Sequence, residues 1–457
     1  MNLLEQITDY SLKLQLDDIP ADALDLAKTL VFDSIGAGLG GYQRDLGQKA
    51  LRYASAMMAG DEATILGAGE RASLEGAAFA NGVMVKILGM DDSHRSAGHI
   101  ASQVVPVVLA VGEAYRSAGA DMLIAIVAAY DFAVRVGRQV RPMQRARGLD
   151  LKGTLGAISA ALAAARCAGF DRERTINAIA LAADLASGTE QYVYEGGLCD
   201  TKDLIAGFAA RNAVFALRLA EAGFYGPRGA LDGDYGFFSA FGDGFDPDTF
   251  ADLGGNFAIL GTGFKPHGGC RHTHQAIDAV QAIQAEGPLD TSEIERIQLQ
   301  TYAYATRPIF RVDPNPPSRE VAGLSIRVST AVALKQGSAW RQDFAAWDDP
   351  EVRRLRNLID VEVDDEIEAR YPELNGCRLR IALRDGTARE AYIPNMKGEP
   401  EFRMTDGEMR RKFSVLNGEL LPQAQADRIY AICNNLESLE HIDALTALCR
   451  APDAVFA

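Results

Sequence analysis

The segment Leu204–Ala222, LIAGFAARNAVFALRLAEA, sets apolar residues at three- and four-residue spacing with few β-branched residues among them, the pattern of a helix suited to close packing. Toward the N-terminus the same texture recurs at Arg172–Ala182, Thr154–Ala168, Ala120–Val136, Ala101–Ser117, Leu74–Leu88 and Ala21–Gly36, several of them ending at a glycine. Asp171 is placed to cap the free amides that open Arg172–Ala182. From Leu4 to Phe224 the chain therefore reads as an all-α, multi-helix bundle.

In the other direction the texture changes after Gly223 to GFYGPRGALDGDYGFFSAFGDGFD, a run of glycine, proline and aspartate that predicts a long surface excursion. A domain boundary is expected near Lys265. Beyond it, Ile294–Tyr302, Val361–Val363, Leu379–Leu383 and Ala391–Ile393 carry the two-residue alternation of half-buried strands, with Asp385-Gly386 as a hairpin turn. Pro314-Asn315-Pro316-Pro317 marks an irregular loop, and Thr405–Leu416 with Gln423–Leu436 returns to helix, placed to pack back on the first half. The second half is thus α+β.

At 457 residues the chain is long enough for two cores, and its composition (48% hydrophobic, 24% charged) is that of a globular protein. A formal net charge of −16 with no basic stripe repels phosphate backbones and anionic lipid, so neither nucleic acid nor membrane is expected as a partner. The N-terminus, MNLLEQITDYSLKLQLDDIP, has no basic start followed by an apolar run, which predicts a cytoplasmic protein without a signal peptide. Val104–Ala114 is too short for a bilayer span. The six cysteines lack CxxC spacing and read as reduced thiols.

Against this acidic background one cationic knot stands out. Phe264-Lys265-Pro266-His267-Gly268-Gly269-Cys270-Arg271-His272-Thr273-His274 gathers three of the six histidines in one glycine-softened turn, where backbone can approach a ligand closely. Lys265, His267, Cys270, Arg271, His272 and His274 together suit a small carboxylate. The spacing H-x-x-C-x-H-x-H would also supply zinc ligands, but Lys265 and Arg271 beside a cation cost metal affinity while favouring an anion. No metal is expected.

A second group lies on Gly89-Met90-Asp91-Asp92-Ser93-His94-Arg95-Ser96-Ala97-Gly98-His99, a connection between two predicted helices. His94 and His99 can move a proton near neutrality, and Asp91 and Asp92 can orient an imidazole; helix capping is the plainer use of the same aspartates. Asp150, Lys152 and Thr154 lead into a helix whose free amides form an anion site, with capping again the simpler reading. Lys202 opens the Leu204 helix, either as a surface charge or as a cation aimed into a cleft. Gly36-Ala37-Gly38-Leu39-Gly40-Gly41 fits G-x-G-x-x-G formally, but it follows a helix rather than a strand, so these glycines end that helix and permit close packing instead of binding a nucleotide.

Five of these segments, in order, give the chain a resemblance to the MmgE/PrpD family: MDDSHRSAGHIASQVVPVVLAVGEA, GTLGAISAALAAARCAG, TKDLIAGFAARNAVFALRLAEAGFYGP, FKPHGGCRHTHQAIDA and NMKGEPEFRMTDGEMRRKF. The resemblance implies a mainly α protein: a large all-α domain over residues 1–264, completed by 400–457, a smaller α+β lid over 265–399, a cleft between them and a homodimer. It also implies cofactor-independent proton transfer next to a carboxylate. His99 would be a general acid/base, Asp91 and Asp92 part of an acidic loop, Lys202 and Lys265 would hold substrate carboxylates, and His272 and His274 would line the pocket. Four positions depart from the family pattern: Gly89 for an aspartate, Asp150 for a histidine, Cys270 for a pocket histidine, and Val328 for a tyrosine. These departures favour dehydration or epimerisation of a small di- or tricarboxylate over decarboxylation. The rival readings are a carboxylate-binding protein without catalysis and a zinc hydrolase.

Overall fold

A computed structural model describes residues 2–194, 199–307, 316 and 318–452, and most of the predicted Pro314–Pro317 loop lies outside them. The chain is mainly α with one small mixed sheet. Every helix expected in the first half forms, and two run further than expected. Ala21–Tyr42 continues straight through the glycine run, correcting the reading that Gly36 ends it. Gly119–Arg147 carries on past Val136, through Pro142, to a left-handed cap at Gly148. The predicted cap is present, since the Asp171 side chain accepts a hydrogen bond from the Arg174 amide.

The glycines explain how these helices sit so close together. A Cβ on Gly41 would run into the Met84 carbonyl, and one on Gly38 into Leu66, so the glycine run of Ala21–Tyr42 lies directly on the Leu74–Ile87 helix. Gly82 of that helix meets Gly207 of Thr201–Glu221 in the same manner. Small residues leave little side chain between backbones, and dense packing then holds loops that leave the helix ends in fixed positions.

One buried apolar cluster runs from Leu3 to Phe264 and resumes with Met409 through Ala451; a second holds Ala276 through Ile393. The C-terminal return is anchored by Phe413 stacked on Phe32, ring centres 4.5 Å apart, and by the Lys412 ammonium 2.6 Å from the Asp33 carboxylate. In the second cluster four strands lie in the order Ile359–Val363, Ile294–Thr301, Cys377–Leu383, Ala388–Ile393. The first pair is parallel and the other two antiparallel, the last closing through Asp385-Gly386 with Gly386 at φ 86°. Helix His274–Ala285 packs on the sheet. The excursion after Gly223 is largely irregular as expected, broken by the short helix Phe237–Phe241.

Between the two clusters runs the cationic turn. Thr262–Gly263, just before it, pairs antiparallel with Ser93–His94. The turn itself is pinned to the second cluster, the Gly268 amide donating to the Ala339 carbonyl and the Cys270 amide to Gly323, both at 2.8 Å. The 89–99 loop and the 264–274 turn, far apart in sequence, are thereby held side by side.

Candidate active site

The loop Gly89–Asp92 follows the Leu74–Ile87 helix and is gripped by two lysines from distant parts of the chain. Lys265 donates to the Gly89 carbonyl at 2.7 Å and Lys412 to the Met90 carbonyl at 2.6 Å. Asp91 comes next and is fully buried; its two oxygens receive the Lys86 ammonium at 2.9 and 3.1 Å. The His99 Nδ1 lies 2.7 Å from the Asp92 carbonyl oxygen and 3.3 Å from Asp91 Oδ2. Both neighbours are acceptors, so Nδ1 carries the hydrogen and Nε2 holds the lone pair.

The charges of this cluster follow from burial. Desolvation drives the His99 imidazole down to about 3 in spite of the raising effect of Asp91, so it is neutral at physiological pH. Asp91 stays well below the usual carboxylate range in spite of its own burial, held down by its pairing with His99 and by the Lys86 ammonium. Lys265 is pushed down to about 7, first by burial and then by the neighbouring Lys86 charge. Asp92 moves up to about 7 through burial and its proximity to Asp91.

The remaining predicted residues divide. Asp92 accepts from the Tyr130 hydroxyl at 2.8 Å and from the Ala101 amide at 3.0 Å, so its carboxylate meets a free amide at the start of the Ala101–Tyr115 helix. The His94 Nδ1 accepts from the Ser96 amide at 3.1 Å and its ring lies against Gly261, contacts that hold the turn. Thr154 is fully buried and donates to Gln144 at 2.8 Å. Asp150 receives the Lys152 ammonium at 2.7 Å and the Tyr192 hydroxyl at 2.6 Å, so the two charges read as anion ligands spend themselves on each other.

On the cationic turn, His267 donates from Nε2 to Asp278 at 2.8 Å and His272 Nδ1 shares a hydrogen bond with the Tyr302 hydroxyl at 2.7 Å. His274 is buried with no hydrogen-bond partner at Nε2 among the described residues, its ring edge-on to His267 with centres 5.3 Å apart. Arg271 pairs with Glu399 at 2.9 Å, and burial raises the Cys270 thiol, which keeps it protonated. Lys202 is 34% exposed and lies 3.6 Å from its own neighbour Asp203, yet its charge acts on Lys86, Lys265 and Cys270. Val328 is buried in the core of the second cluster.

Among the described residues, the one group with His, Cys, Asp or Glu ligand atoms close enough together for a metal is Asp91, Asp92 and His99, not the H-x-x-C-x-H-x-H turn. Lys86 already neutralises Asp91 there, and Tyr130 holds Asp92, a poor donor set for a cation. Two surface cavities, each of about 340 Å³, lie away from the cluster; one is bounded by Phe32, Arg403 and Tyr430, the other by Tyr53, Phe79 and Phe208.

Sequence reasoning missed Lys86, Tyr130, Glu399 and Lys412. Lys86 left a trace, the lone cation on a largely apolar helix and five residues before Asp91. Glu399 receives both Arg95 and Arg271 at 2.9 Å and so ties the two segments together, but nothing local in its sequence announces that.

The model of the MmgE/PrpD N-terminal domain matches residues 5–249 and that of the MmgE/PrpD C-terminal domain residues 267–438. Similar curated proteins include a cis-aconitate decarboxylase of Aspergillus terreus, 25% identical, covering 98% of this chain and 96% of the relative. A cis-aconitate decarboxylase of Mus musculus is also 25% identical, over 93% of this chain and 89% of the relative.

Proposed function

The chain belongs to the MmgE/PrpD family, and from that premise we propose that it is a cofactor-independent lyase or isomerase that moves a proton on the carbon next to a carboxylate of a small di- or tricarboxylate. The observation that carries this reading is the neutral His99 imidazole, hydrogen on Nδ1, set beside a buried Asp91 and two buried lysines. Nε2 is the base. It takes the proton from the substrate carbon while Asp91 steadies the imidazolium that forms. Negative charge then grows on the adjacent carboxylate, and the Lys265 ammonium, assisted by the field of Lys86 and Lys202, is the cation that meets it. In a buried site such a cation stabilises a developing charge far better than it would in water.

From the carbanion-like state three outcomes branch: return of the proton to the opposite face, loss of a β-leaving group, or, if carbon dioxide rather than a proton departs first, protonation of what remains. The departures at Gly89, Asp150, Cys270 and Val328 favour the first two. Relatives named for cis-aconitate decarboxylation support the third as a second reading. The test is a panel of di- and tricarboxylates incubated with the protein in deuterated water and followed by proton NMR. A substrate loses its signal at the carbon next to a carboxylate or converts to product; a panel in which acids bind but none exchanges or converts favours the non-catalytic binding reading instead.

A further inference from the structure

The last turns of the Gly119–Arg147 helix carry Arg138, Arg141 and Arg145, whose spacing of three and four puts them on one face. That face looks toward the cationic turn: the Arg145 guanidinium lies over the Tyr304 ring, which in turn meets the His272 ring with centres 4.8 Å apart. Arg138, Arg141 and Arg271 all depress His94, while Arg271, Arg145, Arg141 and Lys265 all depress His272. Lys265 therefore belongs both to the proton site and to the fringe of this arginine group.

The arginines are not equally occupied. Arg271 is held by Glu399 at 2.9 Å, and Arg145 lies over the Tyr304 ring, 4.3 Å from its centre, and donates to that hydroxyl. Arg141 differs: its Nη1 is buried with no hydrogen-bond partner among the described residues. Burial and the charges of Arg145 and Arg271 push this guanidinium down to about 10, with Glu190 and Tyr371 the opposing groups. Glu190 is itself divided among Arg141, Arg145 and Lys152. A desolvated guanidinium with open N–H donors is costly, and the ligand that relieves the cost best is a carboxylate, which matches its fork in a bidentate pair.

We propose that Arg141 anchors a second carboxylate of the substrate, the one farther from the reacting carbon, with Arg145 and Arg271 framing it. Arg141 is thus a specificity-determining residue that selects acids with two or more carboxylates over monocarboxylates. The assignment of which end reacts rests on the proton site proposed above; the anion subsite itself does not.

Isothermal titration of the full chain with acetate, succinate and propane-1,2,3-tricarboxylate tests it. Wild type binds the last two more tightly than acetate, Arg141→Gln weakens them by roughly 10-fold or more, and Arg141→Lys restores part of the loss. Arg138→Gln, which removes an exposed charge from the same helix face, leaves all three affinities nearly unchanged. Equal affinity of wild type and Arg141→Gln for the polycarboxylates, equal losses in Arg141→Gln and Arg138→Gln, or a wild type that binds none of the acids would each overturn the proposal. Binding is read without turnover, so a protein that exchanges no proton yet shows the Arg141 dependence sinks the catalytic reading and leaves this one standing.

Discussion

At His99 the hydrogen on Nδ1 is fixed by the Asp92 carbonyl, and burial leaves the imidazole unprotonated at any pH above about 3. Its replacement by asparagine keeps a donor near that carbonyl but removes the lone pair at Nε2. Turnover of His99→Asn on the true substrate is expected to fall roughly 100-fold or more; steady-state kinetics showing an unchanged rate would take His99 out of the reaction. Lys265 sets the pH dependence of binding. With its ammonium pushed down to about 7, it is charged below that pH and loses its charge above it, while Asp92 gains negative charge over the same range. Both changes weaken an anion, so succinate should bind about 10-fold less tightly at pH 8 than at pH 6, and Lys265→Gln should flatten the profile measured by titration calorimetry.

Helices and loops answer to packing. The glycine run in Ala21–Tyr42 looks like a helix end in sequence and is a helix interior in space, because glycines that weaken a helix locally also let Leu74–Ile87 lie against it. Gly41→Ala would force a methyl into the Met84 carbonyl and should cost about 3 kcal/mol, read from urea unfolding; a shift under about 0.5 kcal/mol would mean that the two helices can part freely. Lys412 sits opposite the buried Asp33 and also holds the Met90 carbonyl. Lys412→Met strands that carboxylate and should destabilise by about 3–5 kcal/mol, loosening the Gly89–Asp92 loop and lowering turnover even where folding is preserved by temperature or osmolyte. An unfolding midpoint equal to wild type would remove the pair from the structural account. Helix existence was legible here because apolar spacing repeats along each segment, and the strands were legible from alternation. Where helices stop was not, since Gly119–Arg147 runs on through Pro142, its last turns burying Val140, Met143 and Gln144 while Arg138, Arg145 and Arg147 stay exposed.

Across the whole molecule, what sequence conveyed best was which segments carry chemistry, and what it conveyed least was how their charges pair. Asp91, His99 and Lys265 announced themselves by residue type on connecting loops, and the fold sets His99 against Asp91 and Lys265 against the Gly89 carbonyl two residues before it. Asp150 and Lys152 announced themselves equally well, yet they neutralise one another, and only coordinates reveal such a pairing. Lys86, Lys412 and Glu399 were silent because a buried ion pair takes its meaning from a partner supplied by another part of the chain. The account rests on the convergence of the 89–99 loop and the 264–274 turn on one reacting centre. The most direct measurement of that convergence is a double-mutant comparison of deuterium wash-in for wild type, His99→Asn, Lys265→Gln and the double variant. If both groups act on one transition state, the double variant should lose little more than the worse single one. Losses that simply multiply, or a Lys265→Gln variant as fast as wild type at saturating substrate, would contradict it.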